Sequence, residues 1–187
     1  MRLKSPARLT LVVFALMLVT ALLTAFQLAG NQYLNGQQLT APKPEEYRKW
    51  EEVGNSVIPD DHNHGKAISP GIHTVYIDPV AYRHRQDKGT FPDGAVIVME
   101  VLHIKREESE SGFGYFTTGG RDLLVQVKDR RVFPRNGWAY FSFTDAQLKQ
   151  GQNVAGMTDR KCGDCHLAAA EDDEVFVQYF PALAKPK

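Results

Sequence analysis

The chain has 187 residues, enough for one domain with a substantial hydrophobic core. Lysine plus arginine balance aspartate plus glutamate at 22 each, so no bulk charge argues for nucleic acid as a partner. Arg2, Lys4 and Arg8 precede an uncharged run from Leu9 to Gly30. A basic start followed by an apolar run reads as an export signal, and this run is also just long enough to cross a bilayer as a helix. The reading for residues 1–30 is therefore a signal peptide or an N-terminal membrane anchor. With either, the rest of the chain lies in the periplasm and meets a membrane only through that segment.

Residues 31–43 are polar, with Gly, Asn and Gln, and read as a linker. At Pro44-Glu45-Glu46-Tyr47 a proline in the first turn and acids near the positive end of the dipole predict a helix start. Tyr47, Trp50 and Val53 recur at helical spacing, so the helix is expected to run to about Gly54. His62 and His64 fall in turn chemistry, Pro59 to Gly65, where two polar-loop histidines are either solvated or a metal pair.

Strand patterns follow. Ile72 to Ile77 alternates, with His73, Val75 and Ile77 on one face. Asp78-Pro79 ends it, Val80 to Lys88 reads as a short helix, and Phe91-Pro92-Asp93-Gly94 as a turn. Ala95 to Ile104 is the longest β-rich run, placing Ala95, Ile97, Met99, Val101 and His103 on a common face. Lys105 to Gly114 is charged and reads as an exposed hairpin loop. Gly114 to Thr118, Leu123 to Lys128 and Trp138 to Phe143 are further strands. Asp145 to Gln150 reads as a helical turn, Gly151 to Lys161 as a loop, and Leu167 to Leu183 as a helix. The fold class is α+β, a mainly antiparallel β-sheet with flanking helices, in one domain over 44–187.

Between the last loop and the last helix stands Cys162-Gly163-Asp164-Cys165-His166. Cys-x-x-Cys-His is the attachment signature of c-type haem. Two thiols three positions apart can add to the two vinyl groups of one haem edge, and the adjacent histidine can bind iron from the proximal side. These are the only two cysteines in the chain. A redox-active dithiol, a structural disulfide and half of a zinc site are the alternatives. A redox pair does not need the histidine, and zinc needs ligands from elsewhere. The cofactor expected is one covalent haem c, held by Cys162, Cys165 and His166, with His166 as the iron ligand.

No Met or His follows His166, so a sixth iron ligand must come from upstream. Met157 lies close before Cys162, which keeps it on the proximal side. Met99 remains, either a gap-filling core methionine or a distal iron ligand. His73 is its rival, or a hydrogen-bonding distal residue, or a satisfied strand histidine. His103 lies about 13 Å along the strand from Met99, too far for both to reach one iron.

The order of these features resembles the cytochrome P460 family, which includes the cytochromes c′-beta. The matching stretches are the early helix near Trp50, His73 to Pro79, Phe91-Pro92-Asp93-Gly94, Gly114-Tyr115-Phe116, Val127-Lys128-Asp129, Gly137-Trp138-Ala139, and Val175-Phe176 with Tyr179-Phe180-Pro181. The resemblance implies a β-sheet fold, often dimeric, holding one haem with an open distal face. P460 members oxidise hydroxylamine; c′-beta members bind nitric oxide and related small ligands. It also implies that Met99 stands where P460 enzymes carry the lysine cross-linked to haem. Leu124 stands at the position of an acidic proton-transfer residue, and His73 at that of a distal arginine. The function expected is binding of nitric oxide or a similar small gaseous or nitrogenous ligand, or electron transfer with a redox partner protein. The alternative is an oxidoreductase acting on hydroxylamine or related compounds.

Overall fold

A computed structural model describes residues 31–157 and 162–185. The export segment expected over residues 1–30 lies outside them. Among the described residues no helix is long and apolar enough to cross a membrane.

Five antiparallel strands form a meander in chain order: β3 (Glu51–Ile58), β4 (Gly71–Ile77), β5 (Val96–Ser109), β6 (Gly112–Lys128) and β7 (Trp138–Phe143). A second, three-stranded sheet joins β1 (Leu34–Asn35), β2 (Gln38–Thr40) and β8 (Asn153–Ala155) in the order β1-β2-β8. Four short helices accompany them among the described residues: α1 (Pro44–Tyr47), α2 (Pro79–Lys88), α3 (Asp145–Gln150) and α4 (Gly163–Ala169). The α+β class is therefore as expected.

The helix boundaries follow from local chemistry. Asp78 caps α2 by accepting hydrogen bonds from the Val80 and Ala81 amides, Pro79 opens it, and Gly89 closes it in the left-handed conformation. Thr144 and Gln147 form a reciprocal capping box at the start of α3. Strict alternation on β5 then divides two cores. Val96 and Val98 pair with Val127 and Val125 and pack on one face with Leu39, Tyr47 and Phe141. Ile97 packs on the other with Val75, Ile77, Trp138 and Tyr140. Burying each such aliphatic side chain stabilises the fold by roughly 1.5–3 kcal/mol.

Several expectations need correction. The stretch 31–43 is not a free linker: it contains β1 and β2, and Leu39 is fully buried. The helix at Pro44 stops at Tyr47, and Val53 belongs to β3. Gly54 explains part of this, because it lets β3 approach Phe180 so closely that an added Cβ would lie 2.5 Å from the ring. Lys105 to Gly114 is not a loop but the outer part of the β5–β6 hairpin, with Lys105 opposite Phe116 and Arg106 opposite Tyr115. A two-stranded ribbon beyond the core is solvated on both faces, so its charges suit a strand as well as a loop. Gly151 to Lys161 contains β8. Finally, the helix expected over Leu167 to Leu183 ends at Ala169; a tight turn and two 3-10 turns follow.

Candidate functional site

The inner face of the five-stranded sheet carries residues in cross-strand rows. One row is Ile77, Ile97, Gln126 and Tyr140; the next is Val75, Met99, Leu124 and Ser142. His73 sits one row further, opposite Val101. Met99 and Leu124, far apart in sequence, are thus direct neighbours, while Val98 and Glu100 point to the opposite face.

Above these rows lies a cavity of about 620 Å³. Met99, Leu124 and His73 line it from the sheet, Cys162 from the N-terminal cap of α4, His166 from α4 itself, and Phe176 from the segment that follows. That volume falls within the ~300–1,000 Å³ common for cofactor and ligand sites. Among the described residues that line it there is no carboxylate, lysine or arginine. Cys165 is exposed and does not line the cavity, although helical spacing puts it one turn from Cys162. Neither cysteine is in a disulfide.

His166 is held from three sides. Its Nδ1–H donates to the Glu174 carbonyl at 2.8 Å. The Tyr140 ring lies 4.4 Å from it, centroid to centroid, and the Phe176 ring 4.6 Å. A carbonyl can only accept, so Nδ1 carries the proton and Nε2 presents a bare lone pair. Burial pushes the imidazole below its ordinary value, against the smaller upward pull of the Glu174 carbonyl. The ring is therefore neutral at pH 7, the form that binds a metal.

The Glu174 carbonyl is itself fixed by a turn in which Asp172 bridges to Val175. Asp173 and Glu174 both adopt positive φ, 50° and 58°, which costs roughly 1–3 kcal/mol for each non-glycine residue. Surrounding groups offset that strain. Buried Arg85 pairs with Asp172 at 2.6 Å, and buried Lys128 pairs with Asp173 at 2.5 Å. Trp138 Nε1 donates to Asp173 at 3.2 Å. The Tyr140 hydroxyl donates to the Glu174 carboxylate at 2.9 Å. Burial, then the Glu174 contact, raises that phenol far above its ordinary value, so it stays a donor.

The distal candidates differ in availability. His73 is buried, with Nε2 2.6 Å from the Ser69 carbonyl and Nδ1 3.4 Å from the Ser56 hydroxyl. Both ring nitrogens have local partners, so the side chain is a satisfied strand histidine on the cavity wall. Met99 is half-buried and packs against the inner core. Met157 also lines the cavity, paired through its backbone with Tyr140 at the His166 end. His103 pairs with Asp122 at 3.2 Å outside the cavity. Among the described residues there is no cluster of three or more His, Cys, Asp or Glu side chains suited to a metal ion, so His62 and His64 belong to none.

The residues present fit a haem: a mainly apolar cavity, a neutral imidazole with a bare lone pair, and a Cys-x-x-Cys whose first cysteine lines the cavity while the second lies outside it. The sequence pattern does not mark Gln126, Tyr140 or the turn at Glu174 as part of the site, and it marks Phe176 only through the family resemblance. One signal was available, since Gln126 and Lys128 break the apolar alternation on a buried face. A family model described as Cytochrome P460 matches residues 44–177. No curated protein matches the chain.

Proposed function

The chain belongs to the cytochrome P460 family, a haem-binding family, and on that premise we propose that it is an exported mono-haem c-type cytochrome that binds a small uncharged ligand such as nitric oxide. Cys162 and Cys165 hold the haem through thioether bonds, and His166 Nε2 binds the iron. Bound there, the haem supplies a one-electron couple and an iron position open to a sixth ligand.

The observation that carries this reading is the adjacency of Met99 and Leu124 on a cavity wall with no carboxylate or amine among its described lining residues. Met99 and Leu124 offer no proton acceptor, and His73 on the same wall has its ring nitrogens on the Ser69 carbonyl and the Ser56 hydroxyl, so the wall is poorly equipped for general acid–base chemistry on hydroxylamine. A distal pocket's polarity and hydrogen-bond donors decide which ligands iron retains. Apolar walls disfavour anionic and strongly hydrated ligands, which lose hydration without compensation. Met99 acts here as an apolar lid, in keeping with its packing against the inner core. Export to the periplasm rests on the basic residues before Leu9 and on the apolar run to Gly30. Electron exchange then takes place with a redox partner in that compartment.

Absorption spectra of the ferric and ferrous protein, with and without nitric oxide, test the reading. The expected result is a high-spin haem that binds nitric oxide, little altered in coordination by Met99→Ala. A low-spin ferric spectrum with a near-infrared sulfur-to-iron band, lost in Met99→Ala, would make Met99 a ligand and the protein an electron carrier.

A further inference from the structure

One carbonyl on the proximal side has two donors. The Glu174 oxygen accepts the His166 Nδ1–H at 2.8 Å and also the Gln126 amide Nε2–H at 3.0 Å. Gln126 is buried on β6, in the same cross-strand row as Tyr140. Its amide makes a long bond to the Tyr140 hydroxyl at 3.4 Å and the shorter one to the backbone of a turn about fifty positions away in sequence. Two donors on one oxygen compete for its electron density, and each bond is weaker than it would be alone. The proton on Nδ1 controls how basic the other ring nitrogen is: the more strongly it is pulled, the more the imidazole donates to a bound metal.

We infer that Gln126 is a positioning residue that acts on the iron ligand through Glu174: by sharing the Glu174 carbonyl it moderates how strongly His166 donates to iron. This rests on the reading of His166 as the axial ligand. The carbonyl does not depend on Gln126 to stay in place. Arg85 and Lys128 pin the side chains of Asp172 and Asp173, Trp138 holds Asp173, and Tyr140 holds the Glu174 carboxylate. Removing the Gln126 amide also removes its long bond to the Tyr140 hydroxyl, but the Arg85, Lys128 and Trp138 contacts on Asp172 and Asp173 still hold the turn, with His166 as the oxygen's remaining side-chain donor. The effect is electronic: a more anionic imidazole stabilises ferric over ferrous iron.

The test uses the haem-loaded full chain. Gln126→Leu removes the donor and keeps the bulk; Gln126→Asn withdraws it by one methylene and keeps the position polar, so it carries the test if the leucine variant does not fold. The midpoint potential is measured by spectroelectrochemistry, and the iron–imidazole stretch by resonance Raman on the ferrous protein. The expected result in both variants is a lower potential and a higher stretching frequency than wild type. A potential and frequency that stay unchanged, or move the opposite way, overturn the inference while leaving the axial assignment intact. An iron–imidazole band that survives in His166→Gly would instead overturn the axial assignment, and the inference with it.

Discussion

Arg85→Met isolates what the acidic turn owes to a single buried cation. The Arg85 side chain is 1% exposed, and Met keeps most of its aliphatic packing while deleting the guanidinium. Three bonds go: Nε to the Leu183 carbonyl at 2.8 Å, and Nη1 to the Gly89 carbonyl and to Asp172, both at 2.6 Å. Stacking of the guanidinium over Phe91, 4.7 Å from the ring centroid, is also lost. Leu183 is fully buried, so its carbonyl would be left unsatisfied at a cost of about 2 kcal/mol. Asp172 is 24% exposed and keeps Lys185 at 3.3 Å, so its loss is smaller, about 1 kcal/mol. Gly89 is half-buried, and water can reach its carbonyl in part. The sum is about 3 kcal/mol, which for a domain of this size lowers the melting temperature by roughly 6–12 °C. Thermal unfolding followed by circular dichroism reads the shift, with Arg83→Met, an exposed position on the same helix, as the reference. A difference between the two variants below about 0.5 kcal/mol would refute the reasoning.

Two further outcomes are expected. Burial works to raise the Asp172 carboxyl, but Arg85 and Lys185 hold it below its ordinary value of 3.8. The unfolded chain therefore takes up the proton first, so the stabilisation is complete above about pH 4 and is lost as pH falls through the lower folded value. Asp172→Asn should flatten the stability–pH curve in that acid window, and a curve of unchanged slope in urea titrations contradicts the assignment. Gly71→Ala should destabilise by about 1–3 kcal/mol, because its Cβ would meet the Leu102 carbonyl of β5 at 2.5 Å where β4 begins. Wild-type stability of that variant in urea would show that β4 can shift from β5.

How much of this was legible in the sequence depends on whether the cause was local. Period-two alternation correctly grouped His73, Val75 and Ile77 on β4 and Met99 with Ile97 on β5, because burial on one side leaves that pattern; sheet pairing then brings both groups to the same inner face. Asp78-Pro79 and Gly89 bounded a helix through their own backbone chemistry. Non-local causes were not legible. Glu171 to Glu174 reads as part of a helix, yet Asp172 and Asp173 are drawn to Arg85 and Lys128, partners on α2 and β6. The turn they stabilise exists for a contact that no spacing announces, the Glu174 carbonyl on His166. Trp50 and Val53 keep a helical interval by coincidence, and sheet pairing with β4 overrides it. At the site, the motif pointed to Cys162 and His166. The adjacency of Met99 and Leu124 required the β5–β6 register.

The central claim is a haem joined to this chain through Cys162 and Cys165. Mass spectrometry of the exported protein under denaturing conditions tests it most directly. The account requires the intact chain to carry the mass of one haem after denaturation, with covalent attachment abolished when both cysteines are replaced by alanine. A denatured chain with the mass of the polypeptide alone, from a preparation that was coloured before denaturation, would contradict it.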